Sequence, residues 1–175
     1  MKIREFQGLA VKTKASLGSQ ILDSVHMVLG LCSELCGELP LAVINDDAVN
    51  VREEIGDAQW YVAGYADTWG IELPDEIKII EEGEVDDLMV TLGELQDLDK
   101  KQLAYGKIGS IEDRTSLIIS LLISLEYLAY GFDIDTDEMR ALIIAKLKAR
   151  YGEKFSAESA NTRNLDVERA ILEGK

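Results

Sequence analysis

Two short acidic clusters contain the residues of this chain whose types and spacing favour chemistry. They occupy positions 34–38 (ELCGE) and 53–57 (EEIGD), about fifteen residues apart. Residues three or four positions apart share one face of an α-helix, so two acids of each cluster point the same way. Crowded carboxylates repel one another unless protons or a metal ion compensate their charge. Hard oxygen ligands in this number favour Mg²⁺, with Mn²⁺ as an alternative, and the four acids are Glu34, Glu38, Glu54 and Asp57.

The alternative for these clusters is an acid-rich helix face that is simply solvated. Each cluster, however, has a glycine one residue before its last acid, at Gly37 and Gly56. Glycine costs a helix interior roughly 1 kcal/mol relative to alanine, so the matched glycines predict close approach of neighbouring helices. A connector of about ten residues separates the two helical segments and allows them to pack antiparallel. In that arrangement the four acids face one another across the helix interface.

The charge of the chain limits the partners that it can bind. Its 175 residues include 18 basic and 33 acidic side chains, which give a net charge of −15. Such a protein repels polymeric nucleic acid and anionic membranes alike. A small phosphate compound remains compatible, since bound cations invert the local sign of an acidic site. With 47% hydrophobic residues and no apolar leader of the signal-peptide type, we expect a single cytoplasmic domain.

The pattern of apolar residues predicts an all-α protein. The chain has only two prolines, Pro40 and Pro74, and no long stretch alternates apolar and polar residues as a strand would. A helix is predicted to open at Pro74 and to be interrupted at Gly83, and Gly70 and the segment 106–110 are expected to end helices. The remaining predicted helices span 3–14, 19–39 (ended by Pro40), 51–69, 85–105, 110–130, 136–151 and 165–172.

The second half of the chain weakly repeats the first. The segment 26–30 (HMVLG) resembles 88–93 (LMVTLG). Any two amphipathic helix pairs resemble each other to some degree, so a degenerate internal duplication and a chance likeness both stay open. If the duplication is real, its second copy has lost the acidic cluster, because 52–54 (REE) corresponds to 114–116 (RTS).

The segments around both acidic clusters resemble the MazG-like all-α nucleoside triphosphate pyrophosphohydrolases. That family is marked by an EExxE cluster followed by EExxD, and the likeness is carried here by 26–39 (HMVLGLCSELCGEL) and 50–63 (NVREEIGDAQWYVA). The tail 146–156 (KLKARYGEKFS), continuing to Arg169, is similar to the C-terminal signature of short family members. Together the matches cover roughly the first 72 and the last 35 residues, and the second acidic cluster is the most specific part.

The resemblance implies a compact helical bundle over residues 1–175 that hydrolyses a nucleoside triphosphate to the monophosphate and pyrophosphate with Mg²⁺. The implied metal ligands are Glu34, Glu38, Glu54 and Asp57. The implied catalytic acids are Glu53 and Glu54, although Glu53 is equally well read as an exposed acid. The candidate substrate-binding residues are His26, Trp60, Tyr61, Lys146, Lys148, Arg150 and Arg163. For the basic residues the alternative is a solvated helix face, and for the aromatic residues and the histidine it is helix packing.

Three departures from the family pattern leave alternatives open. Leu35 stands where the family usually has its second glutamate, and the two sides of that cluster align only if one residue is inserted near Leu35 or Cys36. Either a π-bulge there or a plain i, i+4 pair would bring Glu34 and Glu38 to one metal site. The segment at about 77–135 is inserted or duplicated relative to short members, and Ile143 replaces a common asparagine. Family members associate to complete their pocket, so we expect a homodimer, or a monomer whose inserted helices act as the second subunit. The rival function is a catalytically inactive nucleotide-binding or protein-interaction module.

Overall fold

The described residues form α-helices and no β-strand, which confirms the all-α prediction. The computed structural model describes residues 1–79 and 87–175. Its first elements are α1 (Ile3–Ala10), a 3₁₀ turn (Val11–Thr13), α2 (Gln20–Ser33), a π-helical turn (Glu34–Glu38), α3 (Leu39–Ile44) and α4 (Ala48–Thr68). They are followed by α5 (Leu88–Tyr105), α6 (Ile111–Gly131), α7 (Thr136–Tyr151), α8 (Ala157–Asn161) and α9 (Leu165–Leu172).

Helix α4 is the centre of the fold. It packs against α1, α2, α6 and α7, while α5 packs against both α2 and α6. Helices α2, α4, α5 and α6 therefore form a four-helix bundle, and α9 joins the structure by packing on α7. One hydrophobic core extends through these elements, from Ile3 in the first helix to Leu172 in the last.

A buried ionic network joins the four helices of the bundle. Arg114 of α6 is fully buried and donates hydrogen bonds to Asp99 of α5, at 2.5 Å, and to the Tyr65 hydroxyl of α4. Ser24 of α2 donates to the other Asp99 oxygen at 2.5 Å, and the guanidinium lies 3.8 Å from the ring centroid of Trp69. Because a buried charge without partners is costly, these contacts fix the position of α5 and α6 against α2 and α4.

The second predicted helix does not end at Pro40, and that expectation is wrong. The helical path continues through the π turn, where the Leu39 N–H donates to the Glu34 carbonyl five residues earlier. Pro40 then lies in the first turn of α3, where the missing N–H is tolerated. Of the two geometries that the sequence left open for the first acidic cluster, a π-bulge and a plain i, i+4 pair, the structure has the π-bulge.

The predicted helix at Pro74 is also wrong over the residues that the structure describes, since 72–79 is not helical. The polar groups of this segment bind α1 instead: Ile3 N–H donates to the Asp75 carbonyl and Gln7 contacts both Ile71 and Leu73. The predicted interruption at Gly83 and the predicted start of the next helix at 85 lie outside the described residues. The other predicted helices are present, with changes of a few residues at their ends.

Close approach of two helices is confirmed at Gly56 but not at Gly37. A Cβ at position 56 would lie 2.5 Å from Cγ1 of Ile143, whose side chain is fully buried on α7. At Gly37 a Cβ would meet no atom within 4 Å. The close contact between α2 and α4 is made by Gly30 instead, beneath the ring of Tyr61. Ile143 is therefore a core residue that fills the space left by Gly56.

Two described segments are long and apolar enough to cross a membrane, namely the helix Gln20–Ile44 and the pair α6 and α7 taken together across a 105° bend. Core helices of globular proteins have the same composition. In this structure both segments pack against α4 and contribute residues to the shared core. Their composition alone does not assign a location.

We predict that Gly56→Ala destabilises the fold by roughly 1–3 kcal/mol, because the added methyl group overpacks the contact with Ile143. Gly93→Ala is the matched control, since a Cβ there meets no atom within 4 Å. It should raise stability by up to about 1 kcal/mol. Urea unfolding followed by circular dichroism compares the two variants. Equal midpoints would contradict the close approach of α4 and α7.

Candidate active site

An acidic cleft of about 540 Å³ lies between the π turn, α4 and α9. This volume is within the range of small-molecule binding sites. Glu34 and Glu38 line the cleft from the π turn, and Glu54 and Asp57 line it from α4, where Glu53 joins them. The structure thus brings together the four acids that the sequence predicted to face one another. Their role as metal ligands stays a prediction.

The π turn explains how the unusual first cluster reaches this cleft. A π turn accommodates one extra residue within a helix, and residues Glu34–Glu38 form such a turn between α2 and α3. Leu35 points into the core and is 6% exposed, and Leu39 is also buried. These two leucines hold the turn against the bundle, while Glu34 and Glu38 are left to line the cleft.

Glu34 and Glu54 contact each other directly across the cleft. A hydrogen bond joins their carboxyl groups, which requires a proton on one of them. Burial, followed by the hydrogen bond to Glu34 and the charge of Asp57, raises the pKa of Glu54 to about 9. Burial also raises the pKa of Glu34. At neutral pH, Glu54 therefore carries the proton and donates to Glu34, so a proton compensates part of the crowded negative charge.

Lys146 of α7 supplies the positive charge on the other side of the cleft. Its Nζ donates to Glu53 Oε1 at 2.9 Å and to the two Asp57 oxygens at 2.7 and 2.6 Å. Burial works against the ammonium, but the charges of Asp57 and Glu53 outweigh it and raise the pKa of Lys146. The predicted phosphate contact is therefore corrected: this lysine is fully buried and its donors already bind carboxylates.

The other three predicted basic residues have different surroundings. Arg150 lines the cleft but makes two hydrogen bonds to Glu168, at 2.8 and 2.5 Å. The Lys148 side chain is 71% exposed and does not line the cleft, because two helical positions beyond Lys146 it points to the opposite side. Arg163 lines the cleft and has no ion pair within the described parts of the chain. Among the predicted cations, Arg163 is therefore the one free to bind an anion.

An aromatic pocket of about 120 Å³ adjoins the acidic cleft and shares Asp57, Tyr61 and Arg150 with it. Trp60 and Tyr61 pack edge to face with ring centroids 4.9 Å apart, and Trp60 Nε1 donates to the Ala10 carbonyl at 3.1 Å. Burial, then the charge of Glu34, raises the pKa of Tyr61 to about 12, so its phenol stays protonated. The ring residues that line this pocket are His26, Trp60, Tyr61, Tyr151 and Phe155.

Sequence reasoning missed several residues of this region. Tyr151 and Phe155 complete the aromatic pocket. Their place in the tail segment that also contains Arg150 could have identified them as substrate-binding candidates. Arg169 lines the cleft and contacts Asp47 at 3.0 and 3.1 Å, which attaches α9 to the start of α4. That pairing joins residues more than 100 positions apart, so no local pattern indicated it.

The chemistry of the donor set fits a divalent cation. Across residues 1–79 and 87–175, no three acidic, histidine or cysteine side chains converge closely enough to surround an ion in this conformation. The acids of the cleft are nevertheless hard oxygen donors that line one cleft from the π turn and from α4. Glu34, Glu38, Glu54 and Asp57 are the residues that would hold such an ion.

Comparison with known proteins gives no further assignment: no protein-family model, no curated protein and no solved structure matches this chain. The fold class is established as all-α by the helices themselves. The function is therefore inferred from the geometry and charge of the cleft and its adjoining pocket.

We predict that Glu54→Gln makes the stability of the metal-free protein less sensitive to pH. The folded-state pKa of about 9 lies above the ordinary value of 4.5, so the folded protein holds this proton more tightly than the unfolded chain does. Wild-type stability should therefore fall as pH rises through this interval. Between pH 6 and pH 9, the free energy of unfolding of the variant should rise by about 1 kcal/mol relative to that of wild type. The difference is no larger because solvent screens part of the repulsion. Thermal unfolding in EDTA measures this, and a pH-independent difference would contradict it.

Asp57→Asn should have the opposite effect on the metal-free protein at pH 7. The substitution leaves the buried Lys146 ammonium with Glu53 as its remaining anionic partner. We therefore expect the free energy of unfolding to fall by roughly 2 kcal/mol. Asp97→Asn is the control, because its pairs with Lys100 and Lys101 are exposed and should contribute at most about 0.5 kcal/mol. Urea unfolding in EDTA compares the variants. An Asp57→Asn protein as stable as wild type would show that this ion pair is not formed.

Proposed function

We propose that this protein is a MazG-like, divalent-metal-dependent nucleotide pyrophosphohydrolase that converts a nucleoside or deoxynucleoside triphosphate to the monophosphate and pyrophosphate. The observation that carries the proposal is the junction of the acidic cleft with the aromatic pocket, which share Asp57, Tyr61 and Arg150. A nucleotide has one part for each of these two sites. Its phosphates require cations, which the acidic cleft would bind, and its flat base stacks on aromatic rings, which line the pocket.

The acids of the cleft would hold Mg²⁺, or Mn²⁺ in its place. When bound, the ion neutralises triphosphate charge and lowers the pKa of a water molecule. Glu34 and Glu54 would both be ligands in their ionised form, because a bound cation would compensate both carboxylates. Glu38 and Asp57 would supply further oxygen ligands from the two sides of the cleft.

Two other side chains of the cleft have roles in the proposed reaction: Glu53 in proton transfer and Arg163 in phosphate binding. Glu53 is the general base, because Lys146 fixes its carboxylate at the cleft surface, where it can accept a proton from the attacking water. That water adds to the α-phosphorus, and the bond from the α-phosphorus to the bridging oxygen breaks to release pyrophosphate. Arg163 binds the departing phosphates, since it is the cleft cation without an ion pair in the described parts of the chain.

The aromatic pocket receives the base. His26, Trp60 and Tyr61, predicted as substrate contacts, line it together. His26 adds a polar edge to this pocket, and its Nδ1 atom has no hydrogen-bond partner among the described residues. The base therefore lies beside the acidic cleft, with Tyr61 and Arg150 at the boundary between the two.

The helices of the inserted segment bear on the oligomeric state. Helices α5 and α6 pack against α2 and α4, and the Arg114 network ties them in place. This arrangement supports a monomer whose inserted helices act as an internal second subunit, rather than the homodimer expected for shorter members. The cleft itself is lined by residues of the π turn, α4 and the C-terminal segment of a single chain.

Pyrophosphate release tests the proposed function. With Mg²⁺ or Mn²⁺, a panel of canonical and modified nucleoside triphosphates should include at least one substrate that yields monophosphate and pyrophosphate in equal amounts. Glu54→Gln should lower kcat about 100-fold or more, because it removes a carboxylate that would hold the catalytic ion. Glu112→Gln, at an exposed position on α6, is the matched control and should retain the wild-type rate.

Two results would contradict the proposal. Release of inorganic phosphate in place of pyrophosphate would indicate attack at a different phosphorus. Absence of turnover for every nucleotide at high enzyme concentration, combined with measurable nucleotide binding, would favour the inactive binding module instead.

A further inference from the structure

Lys146 is the only cation that contacts the acids of the α4 cluster in the described parts of the chain. Its Nζ has three oxygen neighbours at 2.6 to 2.9 Å, supplied by both Asp57 oxygens and one Glu53 oxygen. The Lys146 side chain is 1% exposed, whereas those of Glu53 and Asp57 are 19% and 25% exposed. The ammonium therefore lies behind the carboxylates, between α4 and α7, and the carboxylates face the cleft.

The charge of the cleft is unevenly compensated. On the Lys146 side, two carboxylates have a fixed cation within hydrogen-bond distance. On the opposite side, Glu34, Glu38 and Glu54 line the same cleft, and no cation of the described residues forms an ion pair with them. A divalent ion is therefore favoured near Glu34 and Glu54, while the Glu53 and Asp57 side already has its positive charge.

We propose that Lys146 is a built-in cation that takes the place of one divalent ion beside Glu53 and Asp57, so that the cleft binds a single divalent cation. This inference rests on the proposed function only in assuming that the cleft binds metal at all. Asp57 can serve both partners, because a carboxylate oxygen that accepts from the ammonium keeps a second lone pair. The single ion then lies on the side of Glu34 and Glu54.

A purely structural ion pair makes a different prediction. If Lys146 only holds α7 against α4, its removal lowers stability and leaves the number of bound ions unchanged. If Lys146 substitutes for an ion, its removal frees Glu53 and Asp57 to bind one. The number of ions bound per chain therefore separates the two roles, and it does so without any measurement of activity.

The test is a titration of metal-free protein with Mn²⁺, monitored by the electron paramagnetic resonance of the free ion. Wild type should bind one Mn²⁺ per chain, and Lys146→Met should bind two. Lys146→Arg keeps a cation at the site and should bind one. Lys148→Met is the matched control, since it removes an exposed lysine two positions away on the same helix, and it should also bind one.

Each other outcome overturns the inference. Two ions in wild type, or one in a folded Lys146→Met protein, show that the lysine does not substitute for an ion. If Lys146→Met is unfolded without metal, Mn²⁺ should restore its helical circular dichroism, and failure to do so also counts against the inference. Wild type that binds no Mn²⁺ at millimolar concentration would overturn the proposed function as well, whereas two bound ions would leave that function intact.

Discussion

The π turn and α4 contribute five carboxyl groups to one cleft, and the mutual repulsion of these groups must be compensated for the chain to fold as described. The compensation has two parts. Lys146 binds Glu53 and Asp57 from behind, and a proton is held between Glu34 and Glu54. Compensation by a proton is conditional, because it is lost as the pH rises and because a cation can replace it. The same constraint therefore shapes the stability of the metal-free protein and its proposed affinity for a divalent ion.

The rest of the fold holds these charges in place. Gly56 lets α7 approach α4 closely enough for Ile143 to fill the gap, and the next turn of α7 then brings Lys146 behind the acidic cluster. The Arg114 network fixes α5 and α6 on the bundle, and residues of the π turn and of α9 line the cleft together. Helix α9 is attached to the cleft through ion pairs of Arg150 with Glu168 and of Arg169 with Asp47.

Local patterns predicted much of this arrangement. Helical periodicity and capping residues indicated the long helices, and the spacing of the acids indicated one shared cleft. The long-range consequences were not readable: Pro40 opens α3 instead of ending a helix, and 72–79 is held in a non-helical path by hydrogen bonds to α1. Lys146 and Lys148 look alike in the sequence, yet one is a buried counter-ion and the other is exposed. Such differences depend on which helices pack together, and a helical pattern does not specify that.

The most direct test of the account is a crystal structure of the protein with Mn²⁺ and a nucleoside triphosphate analogue whose bond between the α- and β-phosphates cannot be hydrolysed. The account predicts an anomalous Mn²⁺ peak among Glu34, Glu38, Glu54 and Asp57, with the triphosphate in the acidic cleft and the base among the rings of Trp60, Tyr61 and Tyr151. A nucleotide bound elsewhere, or Mn²⁺ located away from these acids, would contradict it.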